Sequence, residues 1–463
     1  MVVTSAPIRR LLVAALLLAC SGRAYAQGYG FYEQGACAVG RGGAAVAAPC
    51  DDGSAVFYNP AGLTLTTETV VNAGATAVAP RGHFTNATTS RVSALKDRTF
   101  LVPAGYFARG VNRRVAFGVG VFAPYGLASD WPEASEGRFL GYLSSIKSVQ
   151  VQPTAAVQLT DRLSVGAGLN LSRAEVELRR HLDLASVPLP GAPPGVTFQA
   201  LGVPAGTDFA NVVLTGSGFG IGAHLGAIVK ASEHVSLGAR YLLRQHVDID
   251  NGELSSAQIP TGLVLRAPLP GAPAGTPIDL LVRPQFVSGA TLGPQSATTT
   301  LPFPDQLVIG GAVRMTSRVM LLADYQFTNW SLFDEVVIQN QFAPPTRLVE
   351  SYRNTHGIRL GGEYTYAQGL TIRAGFDTHT AAAPDQSVTP LIPDAPRLEY
   401  TAGLTMPLFR RARMDAAYLF IDQRDRRGRT TDGGLAVPTA AVNNGAYQYY
   451  ANLLCVSVVL GFK

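Results

Sequence analysis

The stretch DDGSAVFYNPAGL, residues 51–63, does not follow the pattern of the chain that comes after it. Its Asn-Pro-Ala-Gly segment cannot lie inside a sheet ladder or a helix, because proline lacks the amide donor and biases its neighbour toward extended geometry. Val56, Phe57 and Tyr58 are nevertheless too apolar for an exposed loop. We therefore expect this stretch to be packed inside a container that the rest of the chain builds.

Composition narrows the class of protein. Charged residues make up only 15% of the 463 residues, below the usual quarter or so, and mean hydropathy is +0.16. The net charge of +5 is small for this length, and no basic block is interleaved with aromatic residues. Nucleic acid is therefore not an expected partner.

Residues 1–26 read as a cleaved signal peptide. Arg9 and Arg10 precede an apolar core at Leu11–Ala19, and Ala24-Tyr25-Ala26 gives a cleavage site before Gln27. A lipoprotein box ending at Cys20 is the alternative. No later segment approaches the roughly 18–20 apolar residues of a membrane helix, which leaves a secreted β protein or a bacterial outer-membrane barrel.

The mature chain has few cysteines. Cys37 and Cys50 flank a segment of small residues that a disulfide could close in an oxidising compartment. A metal pair is the alternative, but no His or other Cys lies nearby in the sequence. Cys455 falls in the last alternating segment and is expected to be a buried, unpaired thiol.

From Leu65 onward, apolar residues recur at every second position over segments of about 9–11 residues, the pattern of membrane barrel strands. Leu163, Val165, Ala167, Leu169 and Leu171 are one such series. Short polar turns alternate along the chain with long connections, as the two ends of an outer-membrane barrel require. The segments number about 14. The fold class predicted is all-β, a transmembrane antiparallel β-barrel.

The polar members of the alternation fix the inner face, since an Arg or Lys facing lipid near the midplane costs about 2–4 kcal/mol. This face is predicted to carry Arg240, Arg314, Asp324, Arg359, Glu363, Arg373, Asp377, Glu399 and Asp415. Tyrosines near strand ends, including Tyr106, are predicted to form interfacial girdles. A barrel of this width approaches the size that leaves an aqueous channel. Residues 27–64 are therefore predicted to be a hatch in the lumen, and residues 65–463 the barrel.

Five stretches resemble the outer-membrane transporters of long-chain fatty acids and hydrocarbons, the FadL or toluene-transporter family. They are Gly40–Leu63 with its Asn-Pro-Ala-Gly, Gly118–Trp131 (GVGVFAPYGLASDW), Val149–Leu169, Leu301–Phe333 and Asn354–Leu404. They span nearly the whole mature chain in the family's order. One departure is Lys463, which follows the terminal aromatic Phe462.

The resemblance implies a 14-stranded barrel with an N-terminal hatch. The family's hatch motif maps onto Asn59, Pro60 and Ala61, expected to be a gate element that faces a kinked third strand. That strand is Val115–Ala123, with Gly118, Gly120 and Pro124 as kink formers. The long loops Arg179–Gly216 and Asp250–Leu301 correspond to the family's capture groove.

Ligand contacts are expected from two sources. The two loops are apolar, with Phe198, Leu201, Phe209, Leu263 and Leu265 among their residues; they either pack on each other as a lid or also hold a ligand. Inside the barrel, Arg240, Arg314 and Arg373 either bind a carboxylate head group or pair with the acidic residues of the lumen.

The expected function is passive transport of hydrophobic compounds, with long-chain fatty acids first. Hydrocarbon uptake within the same family and a general diffusion porin are the alternatives. No phosphate-binding loop and no catalytic motif is present in the sequence, so no enzyme activity, metal or cofactor is expected. Outer-membrane lipid and lipopolysaccharide are the expected surroundings of a monomer.

Overall fold

The computed structural model describes residues 28–189, 191–366, 369–432 and 435–462. The predicted signal peptide and the Cys20 alternative lie outside this range. Among the described residues, no helix combines the length and apolar character needed to cross a membrane.

Fourteen antiparallel strands close into a barrel, which confirms the predicted fold class and strand number. The first seven are β1 Thr69–Asn86, β2 Phe100–Gly110, β3 in two segments (Val115–Phe122 and Gly126–Asp130), β4 Leu143–Gln158, β5 Leu163–Asp183, β6 Asp208–Lys230 and β7 (Val235–Leu242 and Gln245–Gln258). The others are β8 (Gln295–Phe303 and Gln306–Arg314), β9 (Val319–Thr328 and Glu335–Asn340), β10 (Thr346–Val349 and Thr355–Thr365), β11 Thr371–His379, β12 Arg397–Phe409, β13 Ala412–Arg427 and β14 Gly445–Phe462. Strands β1 and β14 close the ring, in register from Thr69 opposite Phe462 to Asn86 opposite Gly445.

The two-residue alternation decides which side chains meet lipid. On β5, Leu169 is 48% exposed on the outer face, whereas Asn170 and Ser172 are buried on the inner face. Two predicted placements are wrong. Arg314 is exposed at the end of β8, beside a short turn, and is not buried in the lumen. Tyr106 is buried inside against Phe122 and does not belong to a girdle.

The connections differ in length at the two ends of the barrel. The long ones carry short elements: α3 Ile278–Val282, α4 Ala440–Asn443, a strand Val92–Ala94, a strand pair Thr431–Asp432 with Leu435–Ala436, and 3-10 turns at Glu136–Phe139, Leu184–Ser186, Phe198–Leu201, Arg283–Phe286, Trp330–Leu332 and Asp385–Ser387. Short turns mark the periplasmic side of such barrels and long loops the outer side.

Residues 28–65, here called the hatch, lie inside the ring. They contain α1 Ala36–Val39, α2 Ala55–Tyr58 and a 3-10 turn Pro60–Leu65. Their polar contacts reach strands far apart around the barrel: Asp324 on β9 accepts from Ala45 N, Thr401 on β12 accepts from Gly42 N, and Gln152 on β4 donates to Val56 O. Only a position within the lumen permits contacts on so many sides.

A disulfide joins Cys37 and Cys50, the pairing that the sequence left open. Because both Sγ atoms are bonded to each other, they are not available as the thiolate ligands of the metal alternative. Cys455 is a buried free cysteine whose Sγ accepts from Thr76 Oγ1.

Glycines of the wall let the hatch backbone approach the strands. A Cβ on Gly226 of β6 would collide with Asn59 Oδ1, a Cβ on Gly166 of β5 would collide with the Pro60 carbonyl carbon, and a Cβ on Gly238 of β7 would collide with the Val46 carbonyl. These positions therefore require glycine for a contact between two backbones.

Gly226→Ala is expected to unseat the Asn59–Pro60 segment, because the added methyl group occupies the place of Asn59 Oδ1. Overpacking of this kind costs about 1–3 kcal/mol. We expect a lower melting temperature and a higher single-channel conductance in planar bilayers. Gly311→Ala is the matched control, since its Cβ would meet nothing nearer than Leu237 at 3.6 Å. Equal conductance of the two variants would show that the close contact at Gly226 does not hold the hatch.

Candidate functional site: the hatch and the interrupted third strand

Strand β3 is interrupted, and the interruption leaves a break in the wall. Its first segment pairs with β2 only over Gly105–Gly110. Its second segment, Gly126–Asp130, pairs with β4 and, among the described residues, with no part of β2. Within the described part of the chain, the outer half of β2, Phe100–Ala104, therefore has a ladder partner on the β1 side alone.

The residues between the two segments turn toward the lumen. Pro124 cannot donate to a ladder, and its neighbours Phe122 and Tyr125 are buried inside. Below them, Gly118 and Gly120 face the hatch: a Cβ on either would lie 3.0 Å from Val56. The predicted kink formers Gly118, Gly120 and Pro124 thus lie where the wall bends against the hatch.

The first residues of the hatch pair with the interrupted strand. Phe31 N donates to Pro124 O at 2.8 Å, and Gly126 N donates to Tyr29 O at 2.9 Å. Gly30 stands opposite Tyr125 in an antiparallel bridge. Residues 28–34, here called the arm, therefore satisfy backbone groups that the interruption leaves without a strand partner.

The side chains of the arm enter an aromatic cluster. The Tyr29 ring lies 4.6 Å from Trp330 and 5.2 Å from Phe333, both edge-on, and Tyr125 stacks on Phe303 at 4.0 Å. Two donors of this region, Trp330 Nε1 and the Tyr352 hydroxyl, are buried with no hydrogen-bond partner among the described residues.

The sequence prediction missed the arm, although Tyr29, Phe31 and Tyr32 in the apolar start of the mature chain were a signal for it.

The Asn-Pro-Ala segment has a different neighbour from the one expected. Asn59 Nδ2 donates to Val46 O at 2.7 Å, to Ala227 O of β6 at 3.1 Å and to Ala239 O of β7 at 3.3 Å. Its Oδ1 accepts from Ala61 N, which caps the 3-10 turn that begins at Pro60. The motif therefore contacts β6 and β7, where the Ala227 and Ala239 carbonyls accept from Asn59. The hatch residues that reach Gly118 of β3 are Val56 and Leu63.

The apolar residues expected to bind ligand come together in the outer loops. Phe198, Phe209 and Leu265 are buried in one cluster with Leu184, Ile278 and Val282, and Leu201 and Leu263 pack against it. Ile259 N donates to Phe209 O, and Phe209 packs edge-on to Phe286 at 6.1 Å. The two loops thus cover each other as a lid, and Phe198 is fully buried within it.

Of the three arginines considered for a head group, two have protein partners. Arg373 Nε lies 3.2 Å from Glu363, and its Nη1 lies 3.9 Å from Asp415. Arg240 donates to Phe57 O and Gln306, and its guanidinium lies 5.1 Å from the Phe57 ring. Arg373 therefore fits the alternative of pairing with acidic residues of the lumen, whereas Arg240 has neutral partners and Arg314 is exposed.

A further loop crosses the outer mouth. Residues 380–396 connect β11 to β12 and reach across to the opposite wall. There, Ser129 Oγ and Trp131 Nε1 donate to Pro390 O. Asp394 of this loop accepts from Gly28 N at 3.0 Å and from the amides of Ala382 and Ala383. Burial raises the pKa of Asp394, and the amide donors Ala383 N and Gly28 N oppose that rise. The loop and the arm are therefore joined through one carboxyl group.

Gly126→Pro tests whether the arm closes the break. The change removes the N–H that donates to Tyr29 O, whereas Gly126→Ala keeps it and places a Cβ no nearer than 3.7 Å from Ile146 O. We expect the proline variant to show a larger and more frequent channel current than wild type and the alanine variant to match wild type. Identical currents for all three proteins would contradict a sealing role for the arm.

Glu350 provides a pH test of the outer mouth. It is buried in the turn between the two segments of β10, and burial raises its pKa to about 8. Because the folded pKa exceeds the unfolded value of about 4.3, stability falls as pH rises toward about 8 and levels off above it. We expect the melting temperature of wild type to fall from pH 6 to pH 8 relative to Glu350→Gln. Glu335→Gln, at an exposed carboxylate paired with Arg347, is the control; parallel profiles for wild type and Glu350→Gln would contradict the assignment.

Comparison with known proteins adds to this geometry. The family model of the outer membrane protein transport proteins (OMPP1/FadL/TodX) matches residues 17–462. The long-chain fatty acid transport protein of Escherichia coli strain K12 is 24% identical over 95% of this chain and 94% of its own length.

Two solved structures share the fold. A Pseudomonas aeruginosa FadL homologue has a TM-score of 0.77 at 19% identity, covering 94% of this chain and all of its own. The Pseudomonas putida toluene transporter TodX has a TM-score of 0.64 at 17% identity, covering 95% of this chain and all of its own. The match over nearly the whole chain, the closed barrel and the lumenal hatch lead to one conclusion: the chain belongs to the OMPP1/FadL/TodX family of bacterial outer-membrane proteins that transport hydrophobic compounds.

Proposed function

We propose that this protein carries long-chain fatty acids passively across the outer membrane, with the arm and the interrupted third strand as its gate. The observation that supports this most directly is the pairing of residues 29–31 with residues 124–126 at a break in the wall. Displacement of the arm would open the gap in the wall and leave the continuous strand ladders intact.

Capture begins at the outer loops. The apolar cluster around Phe198 and Leu265 offers a surface on which an alkyl chain replaces contacts between the two loops. Each buried methylene contributes about 0.8 kcal/mol, so a chain of some 16 carbons gains on the order of 12 kcal/mol before association costs. A ligand held so tightly leaves only if its site changes shape. In this proposal, movement of the arm away from β3 produces that change.

The aromatic cluster around Tyr29 is the proposed site inside the barrel. A ligand there takes the place of the Tyr29 ring among Tyr125, Trp330 and Phe333. The unpartnered Trp330 Nε1 and Tyr352 hydroxyl then donate to the carboxylate. These two donors replace the lumen arginines, which already have protein partners.

The proposed exit is lateral. The break between β2 and β3 lies beside Phe100–Ala104, whose outer face meets lipid: Leu101 is 72% exposed. An alkyl chain that passes here enters the bilayer without crossing water. Lateral release therefore spares the ligand the cost of exposing its chain to water.

Uptake of aromatic hydrocarbons is the second candidate. The cluster around Tyr29 is built from edge-on and stacked rings, the arrangement that aromatic ligands also adopt. The toluene transporter TodX shares the fold. A general diffusion porin is less compatible with a lumen that contains the buried hatch.

A double variant, Trp330→Phe with Tyr352→Phe, separates the two candidates. It removes both unpartnered donors and keeps an aromatic ring at each position, the phenyl ring at position 330 being smaller than the indole. We expect uptake of labelled oleate to fall about tenfold, the equivalent of one hydrogen bond to a charged group, and uptake of toluene to stay unchanged. Tyr447→Phe, at a hydroxyl that donates to Asn443 in another cluster, is the control.

Equal losses for both ligands would contradict the head-group assignment, and a loss of toluene uptake alone would favour the hydrocarbon candidate. Cells whose uptake of neither ligand depends on the protein would overturn the transport proposal itself. A steady, large current from the wild-type protein would instead support the porin.

A further inference from the structure

The periplasmic end of the barrel carries an excess of positive charge beside the strands that close the ring. There, β14 lies between β13 and β1, and β1 pairs in turn with β2. The turn that precedes β13 and the turn that follows β2 flank this closure. Five exposed arginines, here called the basic rim, lie in these two turns and at the end of β2: Arg109, Arg113, Arg114, Arg410 and Arg411.

The two halves of the basic rim are close together. On one side of the closure, Gly461 N of β14 donates to Arg411 O at 2.9 Å. On the other side, Phe462 of β14 stands opposite Thr69 of β1, and Thr69 stands opposite Arg109 of β2. Two strands therefore separate the halves, which places them about 14 Å apart at the usual spacing between strands. The rim is one patch on the surface.

Nearby carboxylates do not neutralise the basic rim. Asp51 is paired with Arg413 at 2.5 Å, and Glu68, just before β1, is exposed. The neighbouring turn between β4 and β5 adds one charge of each sign, Asp161 and Arg162. Within the described part of the chain, none of the five rim arginines forms an ion pair. Five guanidinium groups thus stand beside one unpaired carboxylate at the closure, which predicts an anionic partner.

The basic rim lies where the apolar belt of the barrel ends. Side chains two positions apart along a strand share a face. One rung on the outer face is apolar and holds Phe107, Val71 and Leu460. The next rung toward the periplasm holds Arg109, Thr69 and Phe462. Arg109 therefore follows the lipid-facing residues directly, at the level of the phospholipid head groups of the periplasmic leaflet.

Exposed apolar side chains lie among the cations of the rim. Phe409, next to Arg410, is 69% exposed, and Phe462, in the rung of Arg109, is 42% exposed. A phospholipid meets both kinds of group, because its acyl chains contact the rings while the arginine side chains extend to its phosphate. A soluble acidic protein would have to cover the same rings at the border of the bilayer. The geometry therefore favours a lipid over a soluble partner.

We propose that the basic rim binds anionic phospholipids of the periplasmic leaflet, whose phosphate is not balanced by an amine in the head group. Arginine donates to phosphate oxygens by two parallel, charge-assisted hydrogen bonds. A zwitterionic phospholipid offers the same phosphate, but its ammonium group is repelled by the neighbouring arginines. The site is independent of the transport route, because it lies outside the lumen and at the end of the barrel away from the outer loops.

The test replaces the five rim arginines in the full-length protein: Arg109→Gln, Arg113→Gln, Arg114→Gln, Arg410→Gln and Arg411→Gln. The proteins are reconstituted in equal parts of phosphatidylglycerol and phosphatidylethanolamine with the same acyl chains, and the lipids that stay bound are counted by native mass spectrometry. We expect wild type to prefer phosphatidylglycerol about fivefold, the contribution of one basic residue near an anionic surface, and the glutamine variant to show no preference.

Two further variants serve as controls. Five exposed arginines at the outer end of the barrel are changed to glutamine in the first, which removes the same charge and is expected to match wild type: Arg266, Arg283, Arg353, Arg424 and Arg427. The second places lysine at the five rim positions and is expected to keep a preference for phosphatidylglycerol, because the positive charge remains. Melting temperatures report whether each variant is folded.

Salt dependence tests the proposal on the wild-type protein alone. The preference is expected to disappear near 1 M salt, where the Debye length is about 3 Å. A preference that salt leaves unchanged would overturn the proposal, as would equal preferences in wild type and the glutamine variant or none in wild type.

Polyglutamate stands for an acidic periplasmic protein. We expect it to leave the bound phosphatidylglycerol in place, since it has no acyl chains to contact Phe409 and Phe462. Displacement of the lipid by polyglutamate would assign the rim to a soluble partner and overturn the proposal. Uptake of oleate by the glutamine variant, expected to be unchanged, reports on the transport proposal separately.

Discussion

The structure depends on one constraint: a closed 14-strand ladder satisfies its own backbone but surrounds a lumen that its side chains do not fill. The hatch fills it with little regular structure of its own, so its backbone must find partners on the wall. These hydrogen-bond partners lie on strands that are far apart around the barrel. The Asp324 carboxylate accepts from Ala45 N and Val46 N at 2.8 and 2.9 Å, and Gln152 donates to Val56 O. Glycines in the strands then let hatch and wall approach closely.

Both parts of the hatch are held to the wall by buried polar contacts. The part around the disulfide is held by buried charges, since Arg41 lies 3.5 Å from Glu363, which in turn pairs with Arg373. Removing one partner of a buried ion pair costs about 3–5 kcal/mol, so this part is firmly fixed. The arm is held by main-chain hydrogen bonds to β3 and by aromatic contacts, and it also has ionic partners: Glu33 lies 4.0 Å from Arg397, and Gly28 N donates to Asp394. Gly35, with φ of +78°, lies between the two parts.

The sequence was sufficient for the barrel because membrane strands obey a strict rule: every second side chain meets lipid, and buried charge on that face is expensive. That rule predicted the strand number and placed Asp324, Arg359 and Glu399 in the lumen, where they are buried. It failed at strand ends, where the rule weakens: Arg314 reaches solvent and Tyr106 lies inside.

The site itself was harder to predict. Pro124 and the Asn-Pro-Ala motif predict irregular backbone, but they do not predict which residues that backbone contacts. The pairing of the arm with the break joins main-chain atoms more than 90 positions apart, and the Asn59 side chain donates to main-chain carbonyls of β6 and β7. The wall residues in these contacts use main-chain atoms, which carry no side-chain signature.

The Cys37–Cys50 disulfide has a consequence for how the molecule is assembled. Both cysteines are buried between the hatch and the wall, and Arg41 lies against Cys50 Sγ at 3.1 Å. An oxidising enzyme cannot reach them once the ring is closed around the hatch. The bond is therefore expected to form while the chain is still in the periplasm, before its strands join in the membrane. Export, oxidation and barrel closure then follow in a fixed order, and the closed barrel shields the bond from later reductants.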